Sequence, residues 1–411
     1  MFLTVDPTFN KTEVSVILPA SKSQSNRALI IKALSSTDLE IENLSAAEDT
    51  LLLKMALEAL SPVININHSG TALRFLCAFL CLQKGVFVLT GSSRIKKRPI
   101  KELVFILRQL GAQIEFTEND NFAPLKITGN PHFEGGKVEL DSTISSQFTS
   151  ALMMIAPCLK NGLELQLTGD AVSSSFVNLT KEMMEYQGIQ VIQENHSILI
   201  ANQKYNNRKI KIESDFASAS YWYSILLVSS HVDKIYVNNL CKKSTQPDKK
   251  VIEIFSLLGI ESNFQEKNLT ISKNRKFILP VRIELDLQDA PDLAQTIMCV
   301  CSVLNIELFL TGLSTLPNKE TNRLLAMKLE LKKFGIKVTI NSESSIHQSG
   351  LFQQNRDVII ETYDDHRMAM AFSCFMFANQ GVNIKDPAVV NKSYPGFWEE
   401  ISKISNLVYT N

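Results

Sequence analysis

The stretch SKSQSNRALIIKALSS, residues 21–36, decides the reading of this chain. From Ala28 to Leu34 it is apolar on nearly every face, which predicts a short buried helix, not a surface one. Its opening turns nevertheless carry Lys22 and Arg27. The unpaired N–H groups of a helix start already amount to about half a positive charge. Two cations there are badly placed unless an anion joins them.

Working outward, the same phrase recurs: a small polar cluster, an apolar run, then a turn and a β-rich stretch. It appears as SGTALRFLCAFL from 69, SSQFTSALMMIAPCL from 145, SASYWYSILLVSS from 218, PDLAQTIMCVCSVL from 291 and DDHRMAMAFSCFMFA from 364. From residue 69 onward the starts lie 73 to 76 residues apart, whereas the first interval is only 48. A second, more charged helix pattern precedes many of them, as in RPIKELVFILRQLGAQIEF, VNLTKEMMEYQGIQVI, KKVIEIFSLLGIESNF and NRLLAMKLELKKFGIKVTI. Each of these ends in Gly and an alternating strand, the expected C-cap followed by period-two burial. The units are longer and looser than solenoid repeats. They predict an α/β protein of repeated subdomains packed into compact lobes.

At 411 residues the chain has room for two or three domains. Lys and Arg total 42, and Asp and Glu total 42, so no global field draws the protein to nucleic acid or a membrane. Recognition of an anion must be local. The start MFLTVDPTFNKTEV reads as neither signal peptide nor anchor, and no apolar run is long enough to span a membrane, so a cytoplasmic protein is expected. Most of the seven cysteines sit in apolar runs, with Cys241 expected to be exposed. Neither they nor the six histidines show metal-ligand spacing, so no metal site is expected.

The ordinary role of the polar clusters is N-capping. Several also hold cations or acids: Lys22, Arg27, Arg74, Asp292, Asp365 and Arg367. Buried helices aiming their N-termini at one cavity would form a strong anion trap. Arginine is scarce, 11 against 31 lysines, yet Arg27, Arg74, Arg98, Arg323 and Arg367 all lie in or beside these clusters. That suits bidentate binding of phosphate and carboxylate. No residue of the chain is expected to neutralise Lys22, Arg27, Arg98, Arg323 and Arg367.

The motifs LPASKSQSNRA, SGTALRF, KRPI, SSQF, APDLAQT, NKETNR, YDDHRMAMAF and NKSYPGF stand in an order that resembles the 5-enolpyruvylshikimate-3-phosphate synthase family, from about residue 10 to 400. The resemblance implies the two-lobed enolpyruvyl transferase fold with six βαβαββ units, three per lobe. One lobe would be residues 1–19 plus 216–411 and the other 20–215, with the active site in the interlobe cleft. It implies transfer of the enolpyruvyl group of phosphoenolpyruvate to the 5-hydroxyl of shikimate 3-phosphate, releasing phosphate, in the shikimate pathway of aromatic amino acid biosynthesis. No cofactor is implied, and a monomer is expected.

By position, the resemblance makes Asp292 the proton acceptor and Glu320 the proton donor, with Lys22 touching both substrates. Alone, Asp292 reads as an N-cap, and Glu320 as a solvated acid paired with a lysine. Ser23, Arg27, Ser145, Ser146, Gln147, Ser173, Asp292 and Lys319 would join Lys22 in binding shikimate 3-phosphate. Gly70, Arg98, Gln147, Arg323, Arg367 and Lys392 would join Lys22 on phosphoenolpyruvate.

The chain departs from the family pattern at several places. Asn322 stands where Asp is usual, and His68 where Asn or Asp is usual. Phe176 stands where Tyr is usual, within a run Ser173 to Phe176 that also lacks a basic residue. Pro247 replaces a Gly, and about twenty residues are missing between Asp49 and Gly70. The related UDP-N-acetylglucosamine enolpyruvyl transferases carry Lys-Asn where Lys22-Ser23 stands and an acid-acting cysteine in a mobile loop. SSRIKKRPI, the corresponding loop here, has no cysteine. A non-catalytic paralogue is the remaining alternative, and Asp292 and Glu320 argue against it.

Overall fold

Each apolar phrase folds as a helix: Lys22–Leu34, Gly70–Leu80, Ser146–Ile155, Phe216–Val228, Ala294–Val303 and His366–Phe372. They are buried through most of their length, with every residue from Phe216 to Leu226 shielded from solvent. The computed structural model describes residues 1–6, 11–35, 38–141, 145–169, 174–378 and 381–410. Five of these helices begin at a side-chain cap: Ser21, Ser69, Ser145, Asp215 and Asp365 each accept a hydrogen bond from a first-turn N–H. Capping is therefore real, and it coexists with the cations. Ala294–Val303 differs, being entered through the 3-10 turn Pro291–Leu293 with no side-chain cap.

The charged pattern gives the helices Lys101–Gln109, Ser174–Tyr186, Val251–Ser256 and Arg323–Lys332. The glycines that follow them, Gly111, Gly188, Gly259 and Gly335, all have positive φ, between 77° and 104°. This is the left-handed C-terminal conformation that other residues adopt only at a cost.

Strand pairing repeats with the helices. Val63–Asn65 runs parallel to Gly85–Thr90, which is antiparallel to Leu125–Gly129, itself antiparallel to Gln113–Phe116. Two helices complete a βαβαββ set. Residues 136–200 and 282–349 repeat that order and pairing. Two more sets borrow a strand from the start of the chain: Glu13–Val16 is the first strand of the set at 216–273, and Phe2–Asp6 pairs into the set at 358–410. The remaining set is short. Ile210–Lys211 pairs with Ile41–Glu42, the helices Lys22–Leu34 and Glu48–Ala59 follow their usual order, and the chain then passes directly into Val63–Asn65 with no hairpin. The residues missing between Asp49 and Gly70 are thus one whole ββ element.

The chain divides into two compact units, Met1–Ala20 with Glu213–Asn411, and Ser21–Ile212. In the second, the helices Lys22–Leu34, Gly70–Leu80 and Ser146–Ile155 lie side by side. Gln147 donates to Thr71 Oγ1 at 3.2 Å, and the Arg27 guanidinium lies 5.6 Å from the Phe75 ring centre. In the first unit, the Ser220 and Thr296 hydroxyls are 3.1 Å apart, and Gln295 reaches Met368 Sδ at 3.3 Å. These contacts join early turns to early turns, so within each unit the three buried helices start at the same end. Among the described residues no helix is long and apolar enough to cross a membrane.

Candidate active site

In the unit containing residues 213–411, the helix starts gather a tight set of opposite charges. Arg323, the first residue of its helix, is 1% exposed and is held by three carboxylates. Its Nη1 donates to Asp292 Oδ1 at 2.7 Å, Nη2 to Glu320 Oε2 at 2.8 Å, and Nε to Asp365 Oδ2 at 2.8 Å. Arg367 donates to the other Asp292 oxygen at 3.0 Å and to Tyr221 Oη at 3.2 Å, while its backbone N–H is capped by Asp365. Lys319 stands 3.5 Å from Asp292 Oδ1. So Asp292, Lys319, Glu320, Arg323 and Arg367, five residues expected from the sequence, are in one cluster.

Charge fixes their protonation. Burial by itself would raise the Asp292 carboxyl, but Arg367, Lys319 and Arg323 outweigh it and hold the group well below the usual carboxylate range. Burial lowers Arg323 and Arg367, yet the surrounding carboxylates leave both above their ordinary value. Burial pushes the Lys319 ammonium down against the pull of Asp292. Asp248, buried and with an Oδ1 that makes no hydrogen bond, is pushed up to about 7, first by burial and then by the negative charge of Asp292.

The cations of the other unit are satisfied differently. Arg27 is 3% exposed, and its bonds go to neutral oxygens: Thr180 Oγ1 at 2.7 Å, Ser23 O at 2.9 Å, Ser150 Oγ at 3.0 Å and Phe176 O at 3.3 Å. Burial pushes its guanidinium down to about 9, which still leaves it charged at neutral pH. Arg74 donates to Gly70 O and to Pro99 O, both at 2.9 Å. Arg98 packs directly on Gly70, where a Cβ would sit 2.0 Å from its Nη1. Lys22 differs from these, forming an ion pair with Asp49 at 2.9 Å.

The expectation that nothing neutralises these cations is therefore wrong for Lys22, Arg323 and Arg367. Asp49 reaches Lys22 from the start of the next helix, and three acids from separate segments reach Arg323. For Arg27, the hydrogen bonds to described residues all go to neutral oxygens. The acids also do more than their local readings: Asp292 does not cap the helix Ala294–Val303 that follows it, and Glu320 pairs with the buried Arg323.

Of the other expected residues, Ser145 caps the helix that begins at Ser146, and Gln147 bridges to Thr71. Lys392 donates to the Asp364 carbonyl at 2.6 Å. Ser173 lies outside the described residues. Sequence reasoning missed the roles of Asp49, Thr180, Ser150 and Tyr221. Tyr221 sits inside an apolar run and reads as core, and Asp49 reads as an ordinary first-turn acid.

Several departures acquire local explanations. Asn322 is the N-cap of Arg323–Lys332, accepting from Leu325 N at 3.1 Å, a role that Asn and Asp fill about equally well. Pro247 opens the turn Pro247–Lys250, a first-turn place that suits a residue lacking an N–H. The Phe176 ring lies 5.8 Å from the Arg27 guanidinium, so the aromatic residue keeps a cation contact without a hydroxyl. His68 shares a 2.7 Å hydrogen bond with Ser92 Oγ.

Repeated βαβαββ sets whose buried helices start among arginines, lysines and paired carboxylates define an enzyme class built to handle small anions. The family model described as EPSP synthase (3-phosphoshikimate 1-carboxyvinyltransferase) matches residues 8–67 and 60–401. This chain belongs to that family. Its two matched stretches meet where the short set passes into the next. The 3-phosphoshikimate 1-carboxyvinyltransferase of Bacteroides fragilis (strain YCH46) is 41% identical over 396 residues, covering 96% of each chain. That of Haemophilus influenzae is 34% identical over 436 aligned positions, covering 98% of each. An EPSP synthase structure from Acinetobacter baumannii superposes with a TM-score of 0.79 over 99% of this chain, at 21% identity, which speaks to the fold.

Proposed function

We propose that this enzyme transfers the enolpyruvyl group of phosphoenolpyruvate to the 5-hydroxyl of shikimate 3-phosphate, releasing phosphate, and that both of its units contribute to the reaction. The observation that supports the reading is the Asp292 cluster, where the carboxylates of Asp292 and Glu320 and three cations converge within hydrogen-bond or ion-pair reach. In this reading, Arg323, Arg367, Lys392, Arg98, Gly70 and Gln147 receive the phosphate and carboxylate of phosphoenolpyruvate, and Lys319 bridges the two substrates. Arg27, Ser23, Ser145, Ser146 and Gln147 receive shikimate 3-phosphate, and Lys22 touches both.

A carboxylate held far below neutral is a weak base. Asp292 therefore gains basicity when phosphoenolpyruvate draws Arg323, Arg367 and Lys319 onto its own oxygens, because the cations that depress the carboxyl are then shared. Asp292 takes the proton of the 5-hydroxyl as that oxygen attacks the enol carbon, and Glu320 protonates the methylene to a methyl group. The bond from that carbon to the phosphate oxygen then breaks, phosphate leaves into the cations with the proton held by Asp292, and the methyl group returns a proton to Glu320 as the double bond is restored. In this reading the enzyme works as a monomer in the cytoplasm.

Phosphate release from phosphoenolpyruvate, measured with and without shikimate 3-phosphate, tests the reading. Release that depends on shikimate 3-phosphate is expected. Release without it, or none with it, contradicts the assignment.

A further inference from the structure

The segment that delivers Asp365 and Arg367 is bent in an uncommon way. Asp365 N donates to Thr362 O at 2.8 Å, closing a four-residue turn whose two central residues, Tyr363 and Asp364, both have φ of 53°. Turns with two positive-φ centres favour Asn, Asp and Gly. A bulky residue such as Tyr is out of place at the first of them. Something must hold Tyr363 in that conformation, and the surroundings supply it. The Tyr363 hydroxyl donates to Glu330 Oε1 at 2.8 Å, and Glu330 is 1% exposed. The other Glu330 oxygen accepts from Glu361 N at 3.1 Å and from Lys333 Nζ at 2.6 Å, so the carboxylate is fixed at both ends. Glu330 lies on Arg323–Lys332, the same helix whose first residue is the caged arginine. Helix and turn are thus tied together at one end by Tyr363 on Glu330 and at the other by Arg323 on Asp365.

We infer that Tyr363 is a positioning residue for the reaction: by anchoring its hydroxyl on Glu330 it holds the 362–365 turn left-handed, and so sets Asp365 against Arg323 and Arg367 against Asp292. The inference rests on the function proposed above. Without the anchor, a bulky side chain at positive φ relaxes toward a right-handed conformation. Asp365 then turns away from Arg323, and both arginines lose their aim.

Three forms of the enzyme separate this from plain packing. Tyr363→Phe keeps the ring and loses the anchor. Tyr363→Asn loses the ring but accepts the left-handed conformation readily. The expected order of kcat/KM for phosphoenolpyruvate is wild type, then Tyr363→Asn, then Tyr363→Phe, with Tyr363→Phe down about tenfold for a buried acceptor left unmet. The loss should fall mainly on KM for phosphoenolpyruvate, not on KM for shikimate 3-phosphate. Amide exchange at Asp365 should quicken in Tyr363→Phe and much less in Tyr363→Asn. Wild-type turnover in Tyr363→Phe, or a greater loss in Tyr363→Asn than in Tyr363→Phe, would overturn the inference, the latter by pointing to ring packing. A wild-type enzyme with no activity would instead strike the proposed function, and the exchange rates would still read the turn.

Discussion

Both units place cations at helix starts, yet Arg323 and Arg367 in one are balanced differently from Arg27 in the other, where Lys22 alone pairs with an acid, Asp49, in the bonds described above. Around Arg323 and Arg367, three carboxylates compensate the charge before any ligand arrives. Around Arg27, hydroxyls and carbonyls hold the guanidinium, and its hydrogen bonds supply no counter-charge. A compensated cluster keeps its carboxylates ionised but weakly basic until a ligand shares the cations. An uncompensated cation in a buried site gains most from an incoming phosphate, which brings both charge and acceptors. Under the proposed function, the contrast predicts that proton transfer depends most on the Asp292 cluster and capture of shikimate 3-phosphate most on Arg27.

The largest expected contrast is in stability. Asp365 is fully buried against Arg323, so Asp365→Asn leaves a buried guanidinium short of a counter-charge and should cost about 3–5 kcal/mol in urea unfolding. Arg27→Met, in contrast, removes a buried charge that has no ionic partner among the described residues, and should be neutral or stabilising by about 1 kcal/mol. Equal losses in the two variants would erase the distinction between the units.

The next largest effect concerns turnover. Asp292→Asn preserves shape while removing the base, and kcat should fall about a hundredfold or more. Near wild-type turnover would move the base elsewhere in the cluster. Because Asp292 also pairs with Arg323 and Arg367, shikimate 3-phosphate affinity measured beside turnover will distinguish a lost base from a collapsed site.

A smaller effect should appear in the pH dependence of stability. Asp248 is pushed from 3.8 to about 7, so between those values the native protein holds a proton that the unfolded chain has released. Its contribution to stability therefore falls as pH rises through that window and levels off above it. Asp248→Asn should gain stability relative to wild type at pH 8 compared with pH 4, by about 1–3 kcal/mol. A gain that is the same at both pH values would show that Asp248 is ionised throughout.

Much of the fold is legible in the chain because burial and capping are local signals. The apolar phrases fall on helices, Ser21, Ser69, Ser145 and Asp365 cap them, and the short first interval marks the set that lacks a hairpin. The charge balance of the site is not local, and it is misread for that reason. Asp49 meets Lys22 across 27 positions, and Asp365 meets Arg323 across 42. No periodicity connects such pairs. Asn322 shows the reverse case, a departure from the family pattern that looks functional in sequence and is a helix cap in the structure.

Calorimetric titration of each substrate alone into the enzyme tests the contrast between the units most directly. Shikimate 3-phosphate should bind the free protein, weaken with added salt and lose most of its affinity in Arg27→Met. Phosphoenolpyruvate alone should bind far more weakly, since it must compete with Asp292, Glu320 and Asp365 for the same cations. If phosphoenolpyruvate alone binds as tightly as shikimate 3-phosphate, or if Arg27→Met leaves shikimate 3-phosphate binding unchanged, the division of labour between the two units is wrong.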